Sequence, residues 1–525
     1  MALLDDLAAA LPDLRVSADP ADRVAYARDL WPRHHLAVRA GNVAEHKPGV
    51  VVWPSSTEQV AALVRWAAPR GTALVPFGAG SGVCAGVLPR EDVVVVDLKR
   101  MARWRRLDEG APSLDVEAGQ MGVPLEEELG RRGLTLGHFP SSILCSTVGG
   151  WVAARSAGQC SGYYGKIEDM IVALECVTGT GEILQLHRRA HGPDLVPFVI
   201  GSEGTLAVVT SATLRLHPAP TERAYSAWTF PSTRSGWEAM RTLFQAGLRP
   251  AVSRLYDPFD AMLARMGAVK RPKKTRDAGA AEDGHDPGRG AAVLRTVLRR
   301  PGVLNALVDG VGSRALGGAL LVLIFEGHGD GPAADSLEAR AILERLGAKA
   351  EGEAPARRWL AHRYAVSYRQ APVFAAGAFS DTMEVAASWT NLEALYEGVR
   401  CALGEHVFVM AHLSHAYPDG CCIYFSFAGS AAGSGARKDG WDQACEERYD
   451  RAWQAALAAA IAAGGTLAHH HGVGRSKAPR LGTELGVGID VVRAMKRAFD
   501  PHGILNPGNL LPPPSPEPYR VDASP

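Results

Sequence analysis

Hydrophobic and polar positions follow two different rhythms along this chain, and the change falls near Pro218. Before it, short apolar runs alternate with helical spacings. Val50–Trp53 is a β-branched run ending in tryptophan. Ser55, Ser56 and Thr57 then offer N-caps for a helix in which Val60, Leu63, Val64 and Ala67 share one face. Ala73–Pro76 and Val93–Asp97 predict short strands, and Pro124–Leu134 predicts a short helix. Met170–Val177 and Glu182–Leu186 flank Thr178-Gly-Thr-Gly181 and predict a hairpin-like pair. Thr205–Leu216 is rich in β-branched residues and stops at Pro218.

Beyond Pro218, helical spacings over Gly236–Leu248, Ser336–Leu346 and Asn391–Leu403 alternate with strand-like runs. Those runs are Val252–Leu255, Leu320–Phe325, Thr382–Ala387 and Val407–Leu413, a pattern that predicts an α+β domain with an antiparallel sheet. Lys270–Gly290 starts basic and ends rich in Gly, Ala and Asp, as a surface loop does. Val293–Leu307 sets Arg295, Arg299 and Arg300 among apolar residues. It reads either as a core-facing helix with solvated arginines or as a surface helix touching lipid. The tail holds a long Ala-rich helix over Trp441–Ala463, the run His469-His470-His471-Gly-Val-Gly474, a helix over Ile489–Phe499 and the phrase Asn506-Pro-Gly-Asn509. That is not linker composition, so the tail is expected to fold back onto a site. The pattern divides the chain into an N-terminal helical extension (1–47), a first domain (48–218), a second (219–460) and a returning segment (461–525).

Composition narrows the function. The 525 residues, 47% apolar, are long enough for two or three domains with cores of their own. Lys and Arg number 56 and Asp and Glu 56, so no global field draws the chain to nucleic acid. None of the eight cysteines forms a Cys-x-x-Cys pair, and Cys421 and Cys422 are adjacent, which suits reduced thiols in a cytoplasmic setting. The start, Met-Ala-Leu-Leu-Asp-Asp, lacks a basic signal-peptide region, and the longest apolar run, Ala315–Phe325, is too short to span a bilayer. The expectation is a cytoplasmic protein, with peripheral membrane contact and a homodimer left open.

Three glycine-rich loops carry the first chemistry. Gly80-Ser-Gly82-Val-Cys-Ala85 matches a dinucleotide fingerprint, but Gly86 and Pro89 leave no room for the helix that fingerprint requires. A glycine turn can instead hold a pyrophosphate on successive backbone N–H groups. The second loop brings Ser141, Ser142, Ser146 and Thr147 beside Gly149 and Gly150, and the third is Gly201-Ser-Glu-Gly-Thr-Leu206. Three such loops in one domain suggest one elongated cofactor.

The order of these loops resembles the FAD-binding domain of the vanillyl-alcohol oxidase/p-cresol methylhydroxylase superfamily. Within it, the chain is most similar to the alkyl-dihydroxyacetone-phosphate synthases. Ser146-Thr-Val-Gly-Gly-Trp-Val152, Tyr164-Gly-Lys-Ile-Glu-Asp169, Gly201-Ser-Glu-Gly-Thr205, Cys422-Ile-Tyr-Phe425 and His469-His-His-Gly-Val-Gly474 carry the likeness, which runs from about Pro48 to Leu511. It implies a two-domain flavoprotein of class α+β, with a PCMH-type FAD-binding domain and an antiparallel-sheet cap domain. FAD would lie between them and the tail would close the site. It implies FAD contacts from Pro76, Phe77, Gly78, Ala79, Gly80, Ser81 and Gly82. Ser141, Ser142, Ser146, Thr147, Ala153, Ala154, Arg155 and Ser156 would add to these, as would Gly201, Ser202, Glu203, Gly204, Thr205, Leu206 and Ala207. Arg254 matches a family arginine near the flavin. Some relatives bind FAD covalently through a histidine in the first loop; Gly78–Gly82 has none, so FAD should be non-covalent.

Three consecutive histidines chelate one metal poorly. If extended, His469 and His471 share a face and His470 takes the other. Near a flavin, imidazoles can shuttle protons, and the resemblance places this run in the active site. Tyr424, by itself readable as a cross-strand core tyrosine, occupies the family's acid/base position. A phenol titrates near about 10, so base work needs a cationic or hydrogen-bonding neighbour, which the histidines could supply. Arg369, either a surface ion-pair residue or a fork for phosphate, matches a family arginine that holds substrate. In the related metal-dependent D-2-hydroxy-acid dehydrogenases, Tyr424 would be a second metal histidine and His470 a glutamate. No metal is therefore expected. The Asn-Pro-Gly-Asn-Leu phrase looks more like those dehydrogenases and keeps them as the alternative. The favoured reaction exchanges the acyl chain of acyl-dihydroxyacetone phosphate for a fatty alcohol, without net redox, on a lipid-like small-molecule substrate.

Overall fold

The computed structural model describes residues 2–39, 41, 46–189, 191–265, 289–312, 315–365, 370–431 and 441–511. The chain forms two compact units, one from Met1–Thr221 with Thr466–Pro525, the other from Glu222–Gly465.

The first unit contains two larger sheets and a short two-stranded pairing of Leu134–Thr135 with His217–Pro218. One has the order β1-β2-β4-β3, from Arg15–Ser17, Val50–Trp53, Val93–Asp97 and Ala73–Phe77. Strands β2 and β3 run parallel to β4, and β1 pairs antiparallel with β2. The first 47 residues are therefore not wholly helical; a three-residue strand is too short to show a period. Val50–Val52 and Val93–Val96 are buried on both faces, which is why they read as unbroken apolar runs. Helix α1, Thr57–Ala67, follows β2. Ser56 Oγ accepts from Gln59 N at 3.3 Å to cap it, and it buries Val60, Leu63, Val64 and Ala67.

The second sheet has the order β5-β6-β9-β7-β8 and is antiparallel throughout. Its strands are Trp104–Asp108, Ser113–Glu117, Ala207–Arg215, Ile171–Thr178 and Ile183–His187. The hairpin at Thr178–Gly181 forms as expected. Between β6 and β7 lie helices α2, Gly122–Arg131, and α3, Val148–Ala154. No helix follows the first glycine loop, so the dinucleotide fingerprint is rejected on structure as well.

The second unit is built on one seven-stranded sheet, antiparallel at every pairing, in the order β13-β10-β12-β11-β15-β16-β14. In chain order, β10 to β16 are Glu222–Phe230, Val252–Tyr256, Ala319–Gly327, Lys349–Gly352, Phe379–Ser388, Phe408–Ala416 and Gly420–Gly429. Helix α4, Thr233–Gln245, lies between β10 and β11. The stretch read as one helix over Val293–Leu307 is two, α5 at Arg289–Leu298 and α6 at Pro301–Val311, because Pro301 has no N–H to continue the first. Leu298 is buried against Ala378 and Phe408, while Leu294, Val297, Val303 and Leu307 are exposed. Most of the expected 270–290 loop lies outside the described residues, and its last two positions open α5. Helix α7 is Gly331–Arg345, α8 Leu392–Gly404 and α9 Trp441–Ala462.

The chain then re-enters the first unit with α10, Gly474–Leu485, and α11, Gly488–Phe499. Leu505 bridges to Leu74 on β3, and Gly179 N donates to Phe499 O at 2.8 Å. Among the described residues no helix is long and apolar enough to cross a membrane.

Candidate active site

In the first unit the three glycine loops touch one another, and a glycine sits at each crossing. A Cβ on Gly78 would lie 2.4 Å from Thr147 Oγ1, joining the first loop to the second. One on Gly204 would lie 3.0 Å from Pro76 Cγ, joining the third to the first. One on Gly201 would meet Arg155 Cβ at 3.1 Å. Gly80, Gly201 and Gly204 have φ of 68°, 78° and 71°, a region that favours glycine. Gly201 N donates to Val152 O and Glu203 N to Ala153 O, both at 2.9 Å, so the third loop is tied to the end of α3.

The polar side chains expected to line this cradle have assigned tasks. Thr147 Oγ1 caps α3 by accepting from Gly150 N at 3.2 Å, and Ser146 Oγ accepts from Trp151 Nε1 at 2.8 Å. Ser141 Oγ accepts from Gln159 Nε2 at 3.2 Å, and Ser142 precedes a single 3-10 turn. Arg155 adopts φ of 54° and pairs with Glu168 at 3.0 Å. Ser156 Oγ is 2.8 Å from Nε2 of the buried His138, whose pKa burial lowers to about 3. Thr205 Oγ1 donates to Ser202 O at 2.7 Å, and Leu206 and Ala207 are buried where β9 begins. Lys99 Nζ, unforeseen in the sequence, donates to Gly78 O at 2.8 Å and lies 2.7 Å from Asp97 Oδ2.

A dinucleotide fits this arrangement. The N–H groups of Ala79, Gly80 and Ser81 meet no acceptor among the described residues, leaving a row of backbone donors of the kind that holds a pyrophosphate.

The histidine run does not alternate. Residues 469–471 bend, and Gly472 turns with φ of 82°, neither of which a strand allows. His469 Nδ1 and His470 Nδ1 are hydrogen-bonded at 3.0 Å, and the His470 and His471 rings meet edge to face at 4.7 Å.

In the second unit Tyr424 lies on β16, in register with His412 on β15 and Glu384 on β14. Its ring stacks on His412 with centroids 4.7 Å apart and planes 18° apart. Its hydroxyl is hydrogen-bonded to His415 Nε2 at 2.9 Å. Strict alternation along β15 would turn His415 away from Tyr424. A bulge between Ser414 and Ala416, with His415 at φ of 53°, brings it back.

Arg254, on β11, approaches His412 Nε2 with Nη2 at 2.8 Å, and its guanidinium lies over Tyr256. A guanidinium only donates, so Nε2 is the acceptor and His412 is neutral, with its proton on Nδ1. Burial and the Arg254 charge both hold the His412 pKa well below the usual value. Nδ1 is 3.3 Å from Asp260 Oδ2 but is not aligned for a hydrogen bond.

Burial pushes the Tyr424 phenol well above its ordinary range. Cys422 and Glu384 add to the rise, and Arg254 opposes it. The expectation of an acidified phenol is therefore not met by the protein's own groups. Arg254 is expected near flavin, and its buried Nε makes no hydrogen bond among the described residues. Arg369 lies outside the described residues.

A cradle of three glycine loops beside a mixed sheet, and a phenol–imidazole pair on an antiparallel one, define a two-domain flavoprotein. A family model described as "FAD binding domain" matches residues 48–187, and one described as "FAD linked oxidases, C-terminal domain" matches 219–510. The chain belongs to the FAD linked oxidases, and its cofactor is FAD. It is 29% identical over 504 residues to the alkyldihydroxyacetonephosphate synthase of Trypanosoma brucei brucei, covering 93% of this chain and 76% of that one. With the Dictyostelium discoideum protein of the same name it shares 29% over 516 residues, 96% and 79% of the two chains. A solved alkyldihydroxyacetonephosphate synthase structure superposes with a TM-score of 0.71 at 26% identity, covering 95% of this chain and 82% of that one.

Proposed function

We propose that this protein exchanges the acyl chain of acyl-dihydroxyacetone phosphate for a fatty alcohol, as an alkyldihydroxyacetonephosphate synthase. The observation that carries the reading is the Tyr424 hydroxyl on His415 Nε2, with the neighbouring His412 Nε2 already taken by Arg254. That arrangement moves protons. A site for metal-assisted oxidation of a hydroxy acid would instead leave imidazole lone pairs for the ion. Relatives named for the synthase, aligned over nearly the whole chain, support it.

Bound FAD supplies an electrophilic ring for the substrate carbon. Tyr424 accepts the proton leaving that carbon while its own proton passes to His415 Nε2. Arg254, behind the stacked His412, is the nearby charge that favours the phenolate. His412, fixed neutral, holds the phenol ring in place and takes no proton. Arg369 grips the substrate phosphate, and the 469–471 run assists proton transfer.

The test is incorporation of labelled fatty alcohol into acyl-dihydroxyacetone phosphate with neither oxygen nor an electron acceptor present. Incorporation is expected. A silent assay, with flavin bleached anaerobically by D-lactate, glycolate or a longer 2-hydroxy acid, would make the protein a dehydrogenase.

A further inference from the structure

Glu203 lies in the third glycine loop, yet its side chain serves the tail. It is half-buried, with its backbone at φ of 52°. Oε1 accepts from Val473 N at 2.6 Å and Gly474 N at 3.2 Å. Oε2 accepts from Gly474 N at 2.9 Å and from Asn509 Nδ2 at 3.0 Å.

Val473 and Gly474 begin α10, which has no side-chain cap of its own. A twelve-residue helix presents unpaired N–H groups and a partial positive charge at its start. Here a carboxylate some 270 residues earlier in the sequence meets both needs. The approach is close: a Cβ on Gly472 would lie 2.9 Å from Glu203 Oε1, and one on Gly474 would lie 1.8 Å from Cys84 O. Asn506 Nδ2 completes the clasp by donating to Glu203 O at 2.9 Å and Gly86 O at 3.1 Å.

One short loop thus holds three segments: the end of the first glycine loop, the residues directly after the histidine run, and the Asn-Pro-Gly-Asn phrase. Its own backbone is fixed to α3 through Val152 and Ala153 and leans on Pro76 through Gly204. A plain helix cap could come from any local serine or aspartate. This one reaches from the third loop of the glycine cradle to the residue two positions beyond His471.

We propose that Glu203 is a positioning residue that couples occupancy of the FAD cradle to the placement of His469–His471. Ordering of the Gly201–Thr205 backbone by the dinucleotide fixes the carboxylate. The carboxylate fixes Val473 and Gly474, and these fix the run that precedes them. By linkage, loosening the run weakens FAD binding to the same extent. The role of the run in catalysis rests on the proposed function; the coupling itself does not.

The experiment is amide hydrogen exchange over residues 466–476, with and without saturating FAD and no substrate, in wild type and Glu203→Gln. The glutamine keeps the shape but turns an NH2 group toward an N–H donor. In wild type, FAD should slow exchange at 472–474 at least tenfold. In the variant FAD should still bind, with Kd raised about as many fold as the protection is reduced. Equal protection by FAD in both proteins would overturn the proposal, whatever the enzyme's substrate proves to be. If Glu203→Gln does not fold, Asn509→Ala, which removes one donor and leaves both backbone contacts, should show a smaller loss of the same coupling. No loss there would likewise overturn it. In turnover, Glu203→Gln should lower kcat with little change in KM, and Glu203→Asp should recover part of both kcat and the FAD-dependent protection.

Discussion

At the scale of residues, the proposed chemistry rests on Tyr424 and the imidazoles on the neighbouring strand. Tyr424→Phe removes one hydroxyl and keeps the ring that stacks on His412. Packing should change little, and the variant should keep FAD. Loss of a general acid–base group typically costs about a hundred- to ten-thousand-fold in rate, and the labelled-alcohol assay should show a drop of that order. His415→Ala should lower the rate in the same direction, because the phenol loses its proton acceptor. Tyr424→Phe turnover within threefold of wild type would remove the phenol from the mechanism. Tyr424 and the 469–471 run could be picked out from phrases in the sequence. His412 and His415 could not be given roles that way. A period of two puts residues 412 and 415 on opposite faces of a strand, and only the bulge at His415 reunites them.

At the scale of elements, the cradle depends on loop crossings with no room for a side chain. Gly78→Ala would drive a methyl group to 2.4 Å from Thr147 Oγ1, the atom that also caps α3. The loops must separate or the cap must break. A lost cap costs about 1 kcal/mol, a modest shift in melting temperature for a chain this long. FAD affinity should suffer more than stability, because pyrophosphate donors spaced by the loop are displaced. A fluorescence titration of apoprotein with FAD should give a Kd at least tenfold higher for Gly78→Ala. An unchanged Kd would show that this crossing does not shape the cofactor site. Gly71→Ala is a useful comparison. It has a positive φ of 62° but nothing within 4 Å of its Cβ, so it should cost about 1–2 kcal/mol of backbone strain and leave FAD affinity alone.

At the scale of the whole molecule, a buried carboxylate in one unit and a half-buried one in the other have opposite pH behaviour. Asp257, in the second unit, is pushed up to about 6 by burial and by nearby Asp260, against the Ala411 and Asp260 amides and Arg400. Because its folded pKa lies above the unfolded value of 3.8, the folded state binds the extra proton between the two. Its stabilising contribution is complete below about 4 and is lost as pH rises through about 6, a swing of about 3 kcal/mol. Glu175, in the first unit, is lowered to about 2. Burial opposes the shift, but Arg105, Thr57, Thr210 and Gln185 outweigh it. Its contribution is present above the unfolded value of 4.5 and disappears as pH falls toward 2. Urea midpoints of wild type and Asp257→Asn should therefore differ by an amount that changes steadily between pH 4 and 6 and is constant above about 6.5. Parallel curves across that range would show that Asp257 titrates normally.

The sequence by itself determined what depends on local chemistry and short-range pattern. Runs of valine buried on both faces identify β2 and β4, the Thr178–Gly181 turn identifies its hairpin, and glycines and small hydroxyl residues identify three loops fit for a dinucleotide. The division of α5 from α6 at Pro301 is not among these, because the apolar spacing across it reads as one helix. Tertiary structure decided everything that requires two distant segments to meet. That Gly78 must be glycine because of Thr147, that Arg254 consumes the His412 lone pair, and that burial raises Tyr424 rather than lowering it are all consequences of packing. The Glu203 clasp is the clearest case. A carboxylate in a glycine loop reads as a cofactor contact, because nothing in the surrounding residues marks the start of a helix some 270 positions later as its partner. Periodicity reports which face of an element is buried; it holds no record of what is buried against it.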